Sequence, residues 1–313
     1  MELYMINMSA SDQFLFKEDN SCNLKPLVSV LLASYNHSLY VKQAIESIVN
    51  QKGVTFELIV IDDGSTDDSP SIIDSLQKKY GFKYIHRQNN GLIKTMNELL
   101  EMAKGKYYCS FASDDIMPEG RLYEQSNFLE NHPNKVACFG QIIPMTSEGE
   151  IGKSIDARYL KSCPEITFNE LFLGQKALHG CSEMFVLEAI KKIGGYDERF
   201  FFEDYPLYLK ILFEYGSQPV VPDIICCYYR EHGANLHLKN NEIYSTILRI
   251  LHLYESHPLY SKALLSWKAK WFSALAYSNK LEALKKMTQL MSFSPTFLKH
   301  FIKLFIPRFM LKY

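Results

Sequence analysis

Strand-like and helix-like patterns alternate four times between residues 28 and 115, and each strand-like run stops at a polar cluster. Val28-Ser29-Val30-Leu31-Leu32-Ala33 is apolar and β-branched and ends at Ser34-Tyr35-Asn36. Leu58-Ile59-Val60-Ile61 runs into Asp62-Asp63-Gly64-Ser65, Lys83 to His86 leads to Asn89-Asn90-Gly91, and Tyr107 to Ala112 ends at Ser113-Asp114-Asp115. Between them, apolar residues return at helical spacing, as in Val41, Ala44, Ile45 and Ile48. Short apolar runs bounded by turn residues predict buried strands, and the alternation predicts an α/β fold with a mostly parallel central sheet flanked by helices. In such sheets ligands bind beyond the carboxyl ends of the strands. Four polar strand ends in succession therefore predict one shared cleft.

The rest of the chain has fewer clean periods. Val136 to Ile143 reads as a strand, Gly180 to Val186 as a strand or a turn into a helix, and Asp204 to Tyr215 as a helix. From about residue 240 the texture is helical and poor in Gly. The expected organisation is a flexible leader over 1–25, the sheet domain over 26–238 and a helical C-terminal region over 239–313. With 34 Lys and Arg against 35 Asp and Glu, the chain lacks the basic excess of a nucleic-acid binder, and no nucleic-acid partner is expected. Seven scattered cysteines without Cys-x-x-Cys spacing indicate neither a disulfide framework nor a zinc site. The polar leader lacks the apolar stretch of a secretory signal, and no run is long enough to span a bilayer, so a cytoplasmic protein is expected.

Two adjacent carboxylates at a strand end, Asp114 and Asp115, repel each other, and an oxygen-preferring cation such as Mg²⁺ or Mn²⁺ removes that cost. The same Ser-Asp-Asp also makes a good exposed turn. Tyr35 with Asp63 suits a nucleobase, the ring stacking and the carboxylate accepting a base N–H. No Gly-x-Gly-x-x-Gly follows a strand, and neither a P-loop nor a Gly-x-Ser-x-Gly elbow occurs. What remains is a sheet enzyme that holds phosphates through a metal.

Taken in order, Val28 to Asn36, Val60 to Asp68, Gln88-Asn-Asn-Gly-Leu92 and Phe111-Ala-Ser-Asp-Asp115 resemble the signature series of family 2 glycosyltransferases. Gly194-Gly-Tyr-Asp-Glu-Arg-Phe200 followed by Glu203-Asp204 resembles that family's acceptor-side segment. The resemblance covers roughly residues 26 to 235 and implies the GT-A fold, nucleotide-sugar donors and inversion at the anomeric carbon. Carried over, it implies base contacts from Tyr35 and Asp63, with Ser34, Asn36, Asp62 and Asn90 on the donor side. Asp114 would contact the donor's ribose or sugar, Asp115 would be the principal metal ligand, and Asp204 beside Glu203 the catalytic base. Arg230-Glu231-His232 resembles a recurrent Arg-x-His element, with Arg230 on the diphosphate and His232 on the metal, Mn²⁺ or Mg²⁺. Gly180 to Phe185 resembles the acceptor-side wall. Two positions depart from the pattern: Ala112 replaces a frequent Asp, and Met96 stands where many relatives carry Arg, leaving Lys94 as the cation that could replace it.

The resemblance implies transfer of one sugar, probed first with UDP-sugars, to a glycan or lipid-linked acceptor in bacterial surface polysaccharide synthesis. A sugar nucleotidyltransferase is the alternative enzyme, although its Gly-rich basic loop is missing after the first strand. A non-catalytic module on the same fold is the other alternative. Phe297, Leu298, Phe301, Ile302, Leu304 and Phe305 share one helix arc, with Lys299, His300 and Lys303 opposite and no acidic residue from Ser294 to Tyr313. That pattern suits residues 295–313 for peripheral contact with the cytoplasmic face of the inner membrane, and equally for packing on the domain or on a second copy in a homo-oligomer.

Overall fold

The computed structural model describes residues 25–155, 164–233 and 240–291, together with 297, 298, 301, 302 and 305. The leader and most of 295–313 lie outside the described residues. Two compact units emerge, one comprising 1–167 and 178–231, the other 168–177 and 232–313. The segment 168–177, placed within the sheet domain by the sequence, goes with the helical unit instead.

The first unit opens with β1 (Val28–Ser34), α1 (Val41–Val49), β2 (Phe56–Asp62), α2 (Ser69–Tyr80), β3 (Lys83–His86), α3 (Leu92–Met102) and β4 (Tyr107–Ala112). It continues with α4 (Arg121–Asn131), β5 (Ala137–Met145) and β6 (Glu165–Ile166). In the second unit, α5 (Phe168–Phe172) comes next in the chain. The first unit then resumes with β7 (Glu183–Val186), α6 (Leu187–Lys192), α7 (Asp204–Tyr215) and β8 (Gln218–Arg230). The strands form one eight-stranded sheet in the order β3-β2-β1-β4-β7-β5-β8-β6. Four ladders are parallel, and the three that involve β7 or β6 with their neighbours are antiparallel.

β1 is central, and Val28, Val30, Leu31 and Leu32 are all fully buried, as expected of a strand covered on both faces. Against it α1 lays Val41, Ala44, Ile45, Ile48 and Val49. α2 starts on Pro70 and is closed by Gly81 at φ 78°, the left-handed conformation that glycine adopts without a Cβ penalty. The register sets the carboxyl ends of three strands level: Ser34 pairs with Asp62, and Ala33 with Ala112. The predicted cleft therefore has a floor made of strand ends.

The second unit joins α5 to α8 (Asn240–Leu251), α9 (Tyr260–Ser278), α10 (Lys280–Lys285) and α11 (Met287–Leu290). Trp271, Phe272, Leu275, Ala283, Leu290 and Phe297 form its core. Trp267 donates its indole N–H to the Phe172 carbonyl at 2.9 Å, which ties α5 to α9.

Candidate active site

At the end of β1 the chain turns through Asn36, which takes a left-handed φ of 54°. Its N–H donates to Ser65 Oγ at 2.8 Å, and its side-chain oxygen accepts the Thr66 N–H at 2.8 Å. Asn36 therefore staples the β1 and β2 ends together and does not reach for a donor. Next to it, the Ser38 N–H donates to Asp67 Oδ2 and the Ser69 N–H to Oδ1, each at 2.9 Å. Against the upward push of burial, these bonds bring the Asp67 carboxyl down to about 2. Tyr35, at 48% exposed, leaves its ring at the surface of the strand ends, where a flat ligand can stack. Ser34 Oγ is buried and makes no hydrogen bond. A buried hydroxyl without a partner is uncommon and points to a ligand group at that spot.

The two aspartates at the end of β2 both help to build the loop that follows it. Asp62 is fully buried; Oδ1 accepts from the Ser65 N–H at 2.9 Å and from His86 Nδ1 at 3.0 Å, and Oδ2 from the Ser65 hydroxyl at 2.6 Å. The expected donor contact from Asp62 is thus replaced by a loop-building role. Asp63 accepts the Asn90 and Gly91 N–H groups, each at 2.9 Å, and ion-pairs with Arg87. Arg87 in turn donates to Glu98 at 3.0 Å and Thr95 at 2.9 Å. Gly64, at φ 79°, brings the β2 end so close that an added Cβ would sit 2.5 Å from the Asn89 nitrogen. Asn90 contributes its backbone to this clamp and leaves its side chain exposed; Lys94 stands exposed in the first turn of α3, while Met96 is in the core.

The adjacent Asp114 and Asp115 do not share the cleft. Asp115 is fully buried: Oδ1 accepts the Arg230 backbone N–H at 2.8 Å and Oδ2 the Cys181 thiol at 3.0 Å. Cys227 closes this cluster, with its sulfur, that of Cys181 and the Asp115 carboxylate all within 4.8 Å of one another. Burial and the neighbouring Asp114 charge push the Asp115 carboxyl up. In this placement the Asp115 carboxylate, expected as the principal metal ligand, is enclosed with two thiols and the Arg230 N–H in the turn after β4. The Asp114 carboxylate, also buried, sets its Oδ2 3.9 Å from His37 Nε2. His37 Nδ1 and Ser113 Oγ share a 2.7 Å hydrogen bond, which turns Nε2 toward Asp114. A carboxylate and an imidazole nitrogen form a donor set that fits a divalent cation such as Mn²⁺.

Arg230 also departs from expectation. It is buried; its Nε donates to the Asp114 carbonyl at 2.8 Å, and its terminal nitrogens to the Ser147 carbonyl at 2.9 Å and to Gln43 Oε1 at 2.7 Å. The guanidinium lies 4.7 Å from the Tyr40 ring centroid. With its donors engaged by carbonyls and by Gln43, Arg230 clamps the loop that carries Asp114. His232 stands two residues beyond β8, as the first residue of the second unit after the break at 231.

On the acceptor side, Glu203 and Asp204 are half-buried at the start of α7. Asp204 Oδ1 accepts the Tyr205 N–H at 2.6 Å, and a Cβ on Gly180 would come within 3.4 Å of Oδ2, so only glycine leaves that side of the carboxylate open. Burial and the Asp204 charge push Glu203 up, and burial pushes Asp204 up too. Beneath them Glu183 is fully enclosed, accepting from the Ser110 hydroxyl and, at 3.1 Å, from the Tyr208 hydroxyl of α7. Arg121, also fully buried, donates to the Glu183 carbonyl at 2.9 Å and the Cys226 carbonyl at 3.0 Å.

Burial, opposed by Arg121, pushes the Glu183 carboxyl from 4.5 to about 7. A folded-state value above the unfolded one means that the native protein holds this proton more tightly. Stability from this group is therefore complete below 4.5 and falls as pH rises through 7. Glu183→Gln should remove about 3 kcal/mol of that pH dependence. Urea unfolding of both proteins at pH 5 and pH 8 checks it.

Sequence reasoning missed His37, Arg87 and the Arg121–Glu183 pair. His37 directly follows a recognised polar strand end, and that adjacency was the available signal. Arg121 and Glu183 are far apart in sequence and meet only through the fold.

A family model described as glycosyl transferase family 2 matches residues 29–194, more than half of the chain. An uncharacterized glycosyltransferase of Rickettsia typhi is 32% identical over 193 residues, covering 60% of this chain and 59% of that protein. Another, of Methanocaldococcus jannaschii, is 26% identical over 262 residues, covering 81% and 88%. The chain thus matches less than two thirds of the Rickettsia typhi relative's own length. Among solved structures, S. aureus TarS residues 1–349 with UDP-GlcNAc superposes with a TM-score of 0.63 at 17% identity, covering 87% of this chain and 79% of that one. The mannosyltransferase PcManGT from Pyrobaculum calidifontis, with GDP-Man and Mn²⁺, gives 0.57 at 17%, covering 92% and 88%. These two likenesses establish the fold, GT-A.

Proposed function

Because the chain belongs to glycosyl transferase family 2, we propose that it is an inverting, hexosyltransferase-type enzyme moving one sugar from a nucleotide-diphosphate donor to an acceptor hydroxyl. The observation that carries this reading is the set of groups that the strand ends and the turns after them present: the unpartnered Ser34 and exposed Tyr35, the His37–Asp114 pair, and the Asp204 carboxylate beside Gly180. The first unit is the catalytic domain. Tyr35 and Asp63 hold the base, Ser34 the adjoining ribose, and Asn90 and Lys94 line the donor side. That TarS was solved with UDP and UDP-GlcNAc favours a uridine donor here.

Asp114 and His37 are the residues that would hold a Mn²⁺ or Mg²⁺, which when bound supplies positive charge for the diphosphate. His232 joins them in this proposal as the family's second ligand. The acceptor hydroxyl attacks the anomeric carbon as the bond to the diphosphate oxygen breaks, and its proton passes to a carboxylate oxygen of Asp204. One displacement inverts the centre. A base with a raised pKa is better matched to a hydroxyl proton than an ordinary carboxylate. The proposed acceptor is a glycan or lipid-linked saccharide of bacterial surface polysaccharide synthesis, reached from the cytoplasmic side. No helix among the described residues is long and apolar enough to cross a membrane.

Calorimetric titration of UDP, dTDP and GDP, with and without Mn²⁺, tests the donor site on wild type, Asp114→Ala and Asp115→Asn. One diphosphate should bind in a metal-dependent way. Asp114→Ala should abolish that dependence with an unchanged Tm, whereas Asp115→Asn should lower Tm, because the amide keeps one oxygen for the Arg230 N–H but sets an NH2 in place of the oxygen that accepts the Cys181 thiol. The reverse pattern returns the metal to Asp115. Failure of every diphosphate to bind a folded wild type sinks the donor site.

A further inference from the structure

We propose that the helical unit carries a docking face for an anionic lipid bilayer, made by the outer sides of α10, α11 and the helical residues at 297–301. The face extends beyond the amphipathic tail, and the proposal does not depend on the transferase reading. α10 and α11 already bury an inner stripe, Ala283, Met287 and Leu290, in the core around Trp271 and Phe272. Phe297 and Phe301 belong to the same core. A helix that has satisfied its core stripe needs no further apolar surface, yet these segments carry a second set. Leu281, Leu284, Met291, Leu298, Ile302 and Phe305 are each between 49% and 74% exposed. Their spacing, 281-284-291 and 298-302-305, follows the helical repeat on the sides away from the core.

Charge selects the occupant. Although the whole chain has a net charge of −1, residues 262–313 contain ten Lys or Arg and one acidic residue, Glu282. Lys280 and Lys285 sit next to Leu281 and Leu284 in the sequence. A second copy of this chain would bring the same positive charge against itself. A nucleic acid would match the charge and leave the six apolar side chains in water. An interface of anionic headgroups over acyl chains satisfies both sets at once.

Co-sedimentation of the full chain with vesicles of phosphatidylcholine, alone or mixed with phosphatidylglycerol, tests the proposal. Binding should require phosphatidylglycerol and weaken as salt rises. Lys280→Gln with Lys285→Gln should weaken it about 25-fold, each lysine contributing about fivefold. Leu281→Ser with Leu284→Ser should weaken it by about tenfold or more, and so should Ile302→Ser with Phe305→Ser. Five of the six positions are exposed and Lys280 is half-buried, and an unchanged Tm confirms folding for each variant. Equal binding by wild type and variants, or no vesicle binding at all, overturns the proposal. So does a dimer seen by sedimentation velocity that the leucine variants dissociate, or binding to a single-stranded RNA in place of vesicles.

Discussion

Replacing Asp204 by Asn should lower kcat by about 10²–10⁴-fold and leave nucleotide affinity as it was. The amide fills the same volume and still accepts the Tyr205 N–H, so α7 keeps its start. What disappears is the ability to take the acceptor's proton. In the wild type that ability requires the ionised form, and burial disfavours ionisation of this carboxyl. The rate should therefore climb with pH above the ordinary carboxylate range, and the climb should vanish in Asp204→Asn. Initial rates of nucleotide diphosphate release across pH 5 to 8, with calorimetry for affinity, supply both readings. Wild-type turnover in the variant would move the base elsewhere, and no turnover by a folded wild type that binds the nucleotide would favour the non-catalytic alternative.

The largest stability effect should come from Arg230→Met. Methionine keeps much of the apolar stem but gives up the bonds to the Asp114 carbonyl, the Ser147 carbonyl and Gln43. Only the backbone N–H to Asp115 survives. The buried Asp114 carbonyl, the half-buried Ser147 carbonyl and the exposed Gln43 amide losing a charged donor should together cost about 3 kcal/mol, with Tm falling by about 6–12 °C. Because one of those bonds holds the carbonyl of Asp114, metal-dependent nucleotide binding should weaken in parallel. Differential scanning calorimetry and the diphosphate titration measure the two losses separately. An unchanged Tm would mean that the β8 end does not depend on this clamp.

The first four strands were legible because each is an apolar run closed by polar residues, and that pattern has one physical reading in a parallel sheet. β8 was not. Pro219 and Pro222 interrupt it, and Pro222 and Asp223 are exposed where its register against β5 shifts. α4 escaped for the opposite reason. Its inner face is Arg121, Leu122, Gln125, Ser126 and Leu129, so three of the five residues it buries are polar and hydrophobic periodicity cannot find it. At the site, the order of polar strand ends gave the cleft, but not the sides on which side chains leave. Asp114 and Asp115 are neighbours with equal chemistry, and only the packing of Cys181, Cys227 and Arg230 around one of them separates their roles. Asn36, Asp62 and Arg230 were expected as donor-side contacts from the family resemblance. Tertiary hydrogen bonds had already claimed them.

The discontinuity of the helical unit bears on how the protein is made. Residues 168–177 leave the ribosome well before 254–276, which supply the partners for Phe168, Phe172 and Gly174. Until then α5 displays two stacked phenylalanines with nothing to cover them, and its carbonyls await Trp267 and Lys270. The helical unit must close last, by recruiting a segment synthesised long before. A nascent chain stalled short of residue 254 would therefore present this pair of rings to a chaperone, whereas the completed protein would not.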